Sequence, residues 1–264
     1  MKIFSLFNHP IAPQSRGKIT MRSFPDGESY IKFDEAVKGE DLIFIDSLDK
    51  PNEKIMPLIF AAKTAKELGA KSVKLIAPYL AYMRQDKRFN EGEAVTSKIF
   101  AEFISQYFDA LTTVDPHLHR YHDLSEIYSI HSKVVSAAPF ISNWIENHVA
   151  NPLLIGPDSE SEQWVAQIAK KINAPYIVLE KQRRGDRDVS VSVPNVTNYE
   201  THTPVLVDDI ISTGKTFIAA IDQLNLTSMP KPICIGVHAL FAQNAYQELL
   251  NAKPAQVITC NTIA

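Results

Sequence analysis

The 264-residue chain is poor in cysteine. Cys234 and Cys260 are its only two, so it has neither a disulfide framework nor zinc-ligand spacing, and a reducing compartment suits it best. It lacks any window approaching the ~20 apolar residues of a membrane helix, and the start Met1-Lys2-Ile3-Phe4-Ser5 has no long apolar stretch. It also lacks an excess of either charge. With 27 Lys and Arg against 30 Asp and Glu the net is −3, without the basic footprint a nucleic acid requires. The one dense basic cluster, Lys181 to Arg187, is diluted by acids. No low-complexity segment or long linker interrupts the chain. These absences leave a soluble, cytoplasmic protein with 45% hydrophobic residues for a core, and with no membrane or nucleic-acid partner expected.

Short apolar runs alternate with amphipathic segments throughout. Strands are predicted at 3–7, 42–45, 73–77, 111–114, 153–156, 176–179, 189–193, 205–207, 233–237 and 257–260. Helices are predicted at 52–68, with a stripe of Ile55, Leu58, Ile59 and Ala62, and at 97–108, with Ile99, Phe100, Phe103, Ile104 and Phe108. A third is predicted at 160–172 on Trp164, Val165, Ile168 and Ile172. Such alternation implies an α/β fold with largely parallel sheets, whose ligands sit beyond the carboxyl ends of the strands. The length allows two domains, placed at 1–145 and 146–264. A weak internal echo, Leu111 to His117 against Val205 to Ile210, suggests that the halves are alike.

The most informative stretch is Val205 to Ala219. An apolar run meets two carboxylates, Asp208 and Asp209, then the loop Ser212-Thr213-Gly214-Lys215-Thr216, then Phe217, Ile218, Ile221 and Leu224 on one helical face. A helix N-terminus fronted by free N–H groups and hydroxyls suits a phosphate monoester. Paired acids would repel phosphate, but they accept hydrogen bonds from vicinal hydroxyls or reach a hydrated cation. Together these describe a sugar phosphate such as ribose 5-phosphate. A Walker A loop is excluded, because Ile210 stands where that motif needs glycine.

Other strand ends carry further chemistry. Phe24-Pro25-Asp26-Gly27-Glu28 offers an aromatic face and two acids that could stack on a purine and accept from its amine. Arg84, Gln85 and Lys87 form a polyphosphate-type cluster after the strand at 73–77. Asp115-Pro116-His117 offers an acid and an imidazole as ligands for a metal escorting a nucleotide, and Gly156-Pro157-Asp158 offers one more acid, for a metal or for sugar hydroxyls. Glu180 to Asp188 reads as a charged loop able to close over developing negative charge, or as a solvated hairpin.

In this order the motifs Phe-Pro-Asp-Gly-Glu, Pro-Tyr-x-x-Tyr-x-Arg-Gln-Asp-Lys, Asp-x-His, Pro-Asp, Lys-x-Arg and Asp-Asp to Thr-Gly-Lys-Thr resemble ribose-phosphate pyrophosphokinases, from about Phe24 to Ala220. The resemblance implies two α/β domains of the type I phosphoribosyltransferase kind, each a mainly parallel sheet flanked by helices. It implies transfer of the diphosphoryl group of ATP to ribose 5-phosphate with Mg²⁺, in a homo-oligomer whose nucleotide site is shared between protomers. By motif, Lys181 and Arg183 would be catalytic. Phe24, Asp26, Gly27, Glu28, Arg84, Gln85, Asp86 and His117 would bind ATP. Asp208, Asp209, Ser212, Thr213, Gly214, Lys215 and Thr216 would bind ribose 5-phosphate, and Asp115, His117 and Asp158 the metal. The chain departs from the family in Ser159-Glu160-Ser161 after Asp158, and in Leu118-His119-Arg120-Tyr121 after His117. Two other readings remain open at this point: a silent homologue with a regulatory role, and a phosphoribosyltransferase that consumes the activated sugar.

Overall fold

The computed structural model describes residues 1–14, 16–158, 161–184, 188–192 and 196–263. The chain forms two compact units, Met1–Val135 with Asn261–Ala264, and Ser136–Cys260.

The first unit contains β1 (Lys2–Phe4), β2 (Ile19–Ser23), β3 (Ser29–Phe33), β4 (Asp41–Ile45), α1 (Pro51–Glu67), β5 (Ser72–Ala77), α2 (Thr96–Tyr107), β6 (Ala110–Val114) and β7 (His131–Val135). Five of the strands form a parallel sheet in the order β1-β4-β5-β6-β7, and β2 and β3 form a separate antiparallel hairpin. Phe4, Leu42, Phe44, Leu75 and Leu111 are fully or almost fully buried in the sheet. α1 buries the predicted Ile55, Leu58, Ile59 and Ala62. In α2 the buried face is Phe100, Ala101 and Ile104, while Ile99 is 59% exposed. At 100° per residue Ile99 lies nearly opposite that face, so it did not belong in the predicted stripe.

The second unit contains α3 (Ala138–His148), β8 (Pro152–Gly156), α4 (Glu162–Lys171), β9 (Tyr176–Val178), β10 (Glu180–Arg184), β11 (Asp188–Ser192), β12 (Thr203–Ile211), α5 (Lys215–Leu224), β13 (Ile233–Ala239), α6 (Ala245–Asn251) and β14 (Gln256–Thr259). Its parallel sheet runs β14-β13-β12-β8-β9, and β10 and β11 again form an antiparallel hairpin. Leu153, Ile155, Leu206, Phe217, Ile221, Leu224 and Leu249 belong to one buried cluster.

The division falls at Val135–Ser136, whereas the expected boundary at 145 lies inside α3. β7 gave no apolar alternation to read, since it is an edge strand whose Val134 and Val135 remain exposed. The internal echo also needs correction. In each unit a hairpin precedes a strand held between two parallel neighbours: β4 between β1 and β5, and β12 between β8 and β13. The counterpart of β12 is therefore β4, which is followed by Asp46, rather than β6, which is followed by Asp115.

Candidate active site

β12 does not stop at the acids, as the apolar run had suggested. It continues to Ile211, so Asp208 and Asp209 are strand residues. The reason is unequal pairing. β8 accompanies β12 only as far as Leu206, opposite Ile155, but β13 follows it to Ile211, opposite Ala239. Beyond Leu206 one edge of β12 has no partner strand among the described residues, at the carboxyl end where an open parallel sheet takes its ligand. A Cβ on Gly236 would lie 2.6 Å from the Ile211 side chain, so glycine there admits the close crossing of β13.

The loop after β12 is pinned by backbone bonds. Phe241 N donates to Ile211 O at 3.0 Å, and Ala242 N donates to Ser212 O at 3.0 Å. Gly214 takes the left-handed conformation, φ 67°, and starts α5 with no side-chain cap. The first N–H groups of α5 thus point into a loop of Ser212, Thr213 and Thr216 with no side chain bonded to them as a cap. Phe217, Ala220, Ile221 and Leu224 bury the other side of the helix. Thr213 and Lys215 are exposed, and Ser212 and Thr216 half-buried.

Asp208 is half-buried, and its Oδ1 accepts from Asp209 N at 3.0 Å. Desolvation pushes its carboxyl well above the usual carboxylate range, and the charges of Asp209 and then Asp158 add to that. Asp208 is thus crowded by the negative charges of Asp209 and Asp158 at the ends of β12 and β8. Such a cluster favours a cation or hydroxyl donors over an anion. Asp158 lies just beyond β8, where its carbonyl accepts from Ser161 Oγ at 2.7 Å. Ser159 and Glu160 lie outside the described residues.

Lys181 and Arg183, read from sequence as loop residues, stand on strand β10 opposite Val191 and Val189 of β11. Pairing satisfies the backbone of this polar run, which has no apolar alternation to announce a strand. The connecting residues 185–187 lie outside the described residues. β11 runs beside α5, so this hairpin and the helix of the phosphate-type loop are neighbours within one unit.

In the first unit, Phe24 to Glu28 form the exposed tip of the β2–β3 hairpin, closed by Phe24 N to Glu28 O at 2.8 Å. Gly27, φ 94°, supplies the left-handed turn residue. The Arg22 guanidinium lies 4.7 Å from the Phe24 ring centroid and 4.2 Å from that of Tyr30, which braces the aromatic tip. Arg84 is exposed and Gln85 half-buried. Asp86 is placed differently, with a side chain only 3% exposed and Arg120 Nε 3.3 Å from its Oδ1. Asp115, with φ 30°, and His117 follow β6, and the His117 and His119 rings lie 6.2 Å apart. Asp115 and His117 thus belong to the first unit, and Asp158 to the second. Among the described residues no group of three or more His, Cys, Asp or Glu is arranged to hold a metal ion.

Comparison with known proteins then identifies the family. Residues 11–107 match the model of the N-terminal domain of ribose phosphate pyrophosphokinase, and residues 123–264 match that of the phosphoribosyl transferase domain. The ribose-phosphate pyrophosphokinase of Sulfolobus acidocaldarius is 36% identical over 93% of this chain and 84% of its own. The chain belongs to the ribose-phosphate pyrophosphokinase family. A second pyrophosphokinase of that name, from Methanothermobacter thermautotrophicus, is 30% identical and covers 99% of this chain and 88% of its own. The fold is that of the phosphoribosylpyrophosphate synthetase from Mycobacterium smegmatis, with a TM-score of 0.86 at 23% identity over 99% of this chain and 89% of that one. Sequence reasoning overlooked Arg120 and Tyr121, which bond to the Asp86 segment. A charged residue beside an aromatic one just after Asp-x-His was the available signal.

Proposed function

We propose that this protein transfers the β,γ-diphosphoryl group of ATP to O1 of ribose 5-phosphate. O1 attacks the β-phosphorus, the bond from that phosphorus to the α,β-bridging oxygen breaks, AMP leaves, and the O1 proton is released. The observation carrying this reading is the uncapped start of α5 directly behind Asp208, with the Lys181–Arg183 hairpin beside the same helix. The α5 N–H groups, Ser212 and Thr216 hold the 5-phosphate, and Asp208 and Asp209 accept from the ribose hydroxyls. Lys181 and Arg183 stabilise the charge that develops between attacking and leaving oxygens.

Asp115 and His117 of the first unit, and Asp158 of the second, are each of a type suited to Mg²⁺, which is commonly held by one or two carboxylates together with substrate phosphates. The raised carboxyl of Asp208 fits this, because a cation would relieve the crowded charge. When bound, Mg²⁺ neutralises the polyphosphate. Arg84, Gln85 and His117 take the ATP phosphates. Phe24, Asp26, Gly27 and Glu28, on their exposed hairpin tip, hold the adenine of a neighbouring protomer in a homo-oligomer. Two free thiols suit a cytoplasmic setting.

The test is purified protein with ATP, Mg²⁺ and ribose 5-phosphate, with nucleotide products separated chromatographically. AMP that forms only with the sugar phosphate supports the reading. ADP in its place would show transfer of the γ-phosphoryl group alone and refute it.

A further inference from the structure

Asp86 lies in the Arg-Gln-Asp-Lys segment yet turns away from solvent, and its ion pairs and side-chain hydrogen bonds run to one other segment, His119 to Tyr121. Its Oδ1 meets Arg120 Nε at 3.3 Å, and its Oδ2 faces His119 Nδ1 at 3.8 Å. Its backbone carbonyl accepts from the Tyr121 hydroxyl at 3.2 Å. The same hydroxyl lies 3.0 Å from Ser97 Oγ, and Ser97 N donates to the Gln85 carbonyl at 3.3 Å. Oδ2 is buried with no hydrogen-bond partner among the described residues, so Arg120 is the main compensation for a carboxylate taken out of water. A buried charge with one close partner is costly to disturb, which makes the link rigid.

Two chain segments are thereby tied together. One carries Arg84 and Gln85 immediately before Asp86. The other carries His117, three residues before Arg120 and on the same short irregular stretch after β6. We infer that Asp86 and Arg120 are positioning residues for nucleotide binding, holding the Arg84–Gln85 segment in register with His117 without touching the nucleotide themselves. This rests on the proposed function only in naming ATP as the ligand of those residues.

The test compares Asp86→Asn, Arg120→Gln, Arg120→Lys and the Asp86→Asn/Arg120→Gln double variant. Misplacing Arg84, Gln85 or His117 forfeits a hydrogen bond to a charged ligand, so each neutral variant is expected to weaken ATP by roughly 10- to 100-fold. The loss should appear in KM for ATP and in calorimetric affinity for ATP with Mg²⁺. KM for ribose 5-phosphate should stay within about twofold of wild type, the scatter of uncoupled sites. The double variant should lose no more than the weaker single, and Arg120→Lys, which keeps the charge, should regain part of the loss. Losses that multiply in the double variant, equal effects on both substrates, or unchanged ATP affinity would overturn the inference. Should Asp86→Asn fail to fold, Arg120→Gln, at a side chain 36% exposed, supplies the same reading of ATP affinity. If wild type binds ATP but forms no AMP, the proposed reaction fails, while the ATP affinities of the variants still decide this inference.

Discussion

The two units use one local design in opposite ways. Each runs a central strand into an acid, a short loop and a helix whose cap residue is left-handed and without a side-chain cap: Lys50, φ 50°, before α1, and Gly214, φ 67°, before α5. In the first unit the protein fills its own site. Asp46 is fully buried and accepts from Ser5 Oγ at 2.8 Å, Leu6 N at 2.8 Å and Phe7 N at 2.9 Å. Lys54 Nζ folds back on Ser47 O at 3.1 Å and Asp49 Oδ1 at 2.6 Å, and Ser47 Oγ donates to Thr262 O. Pro51 removes one of the N–H groups that could meet an anion. In the second unit Asp208 is half-buried, Gly214 carries no side chain into the loop, and Thr213 and Lys215 reach solvent. An acid at a strand end is thus no sign of a ligand by itself. What matters is whether the protein has already supplied its donors.

The comparison can be broken in several ways, in order of expected effect. The largest concerns the hairpins. Lys181→Ala on the second should lower kcat by about 10² to 10³, the equivalent of ~2.7–4 kcal/mol, with ATP affinity near wild type. Retention of more than about a tenth of kcat in single-turnover assays would remove Lys181 from the chemistry. Next is Asp46→Ala, which strands the Leu6 and Phe7 amides. At about 1–3 kcal/mol for each buried unsatisfied group, it should lower the denaturation midpoint sharply while leaving KM for ribose 5-phosphate unchanged in the folded fraction. A change in sugar-phosphate KM without loss of stability would mean that the first unit's loop is not filled after all.

Asp208→Asn and Thr216→Ala should do the reverse. A lost hydrogen bond to a charged group is typically worth about 1.5–3 kcal/mol, so calorimetry should show ribose 5-phosphate weakened roughly 10- to 150-fold and ATP much less. The smallest effect is on the ligand-free fold. Asp208 holds its proton more tightly folded than unfolded, so it costs most stability at pH values above its raised pKa and least below the ordinary carboxylate range. Asp208→Asn should therefore raise Tm without ligand, with the gain growing as pH rises. A gain that shrinks with pH would contradict the desolvated, crowded acid seen beside Asp158.

How much of this was legible in the sequence follows from the range of the interactions. The Asp208–Thr216 loop was readable because a strand end, small residues and a helical stripe are adjacent in the chain. Its counterpart at Asp46 was not, because the donors that fill it sit some 40 residues earlier, with Ser5 separated by 41. The same distance problem hid the Asp86–Arg120 link, whose partners are separated by more than thirty residues. The parallel α/β architecture was plain from alternation. Strands β7 and β10 were hidden, one as an exposed edge and the other as a polar run that pairs only through its backbone. The run-on of β12 past Asp208 depends on β13 and could not be seen in β12 alone.

The central claim is that the open site of the second unit presents O1 of ribose 5-phosphate to the β-phosphorus of ATP. The most direct measurement uses ribose 5-phosphate labelled with ¹⁸O at the anomeric hydroxyl, ATP and Mg²⁺, followed by ³¹P NMR of the product. The account predicts that the label stays in the oxygen bridging C1 and the new diphosphate, with one AMP released for each bridge formed. Label found outside that bridge, or a labelled monophosphate at C1 accompanied by ADP, would contradict it.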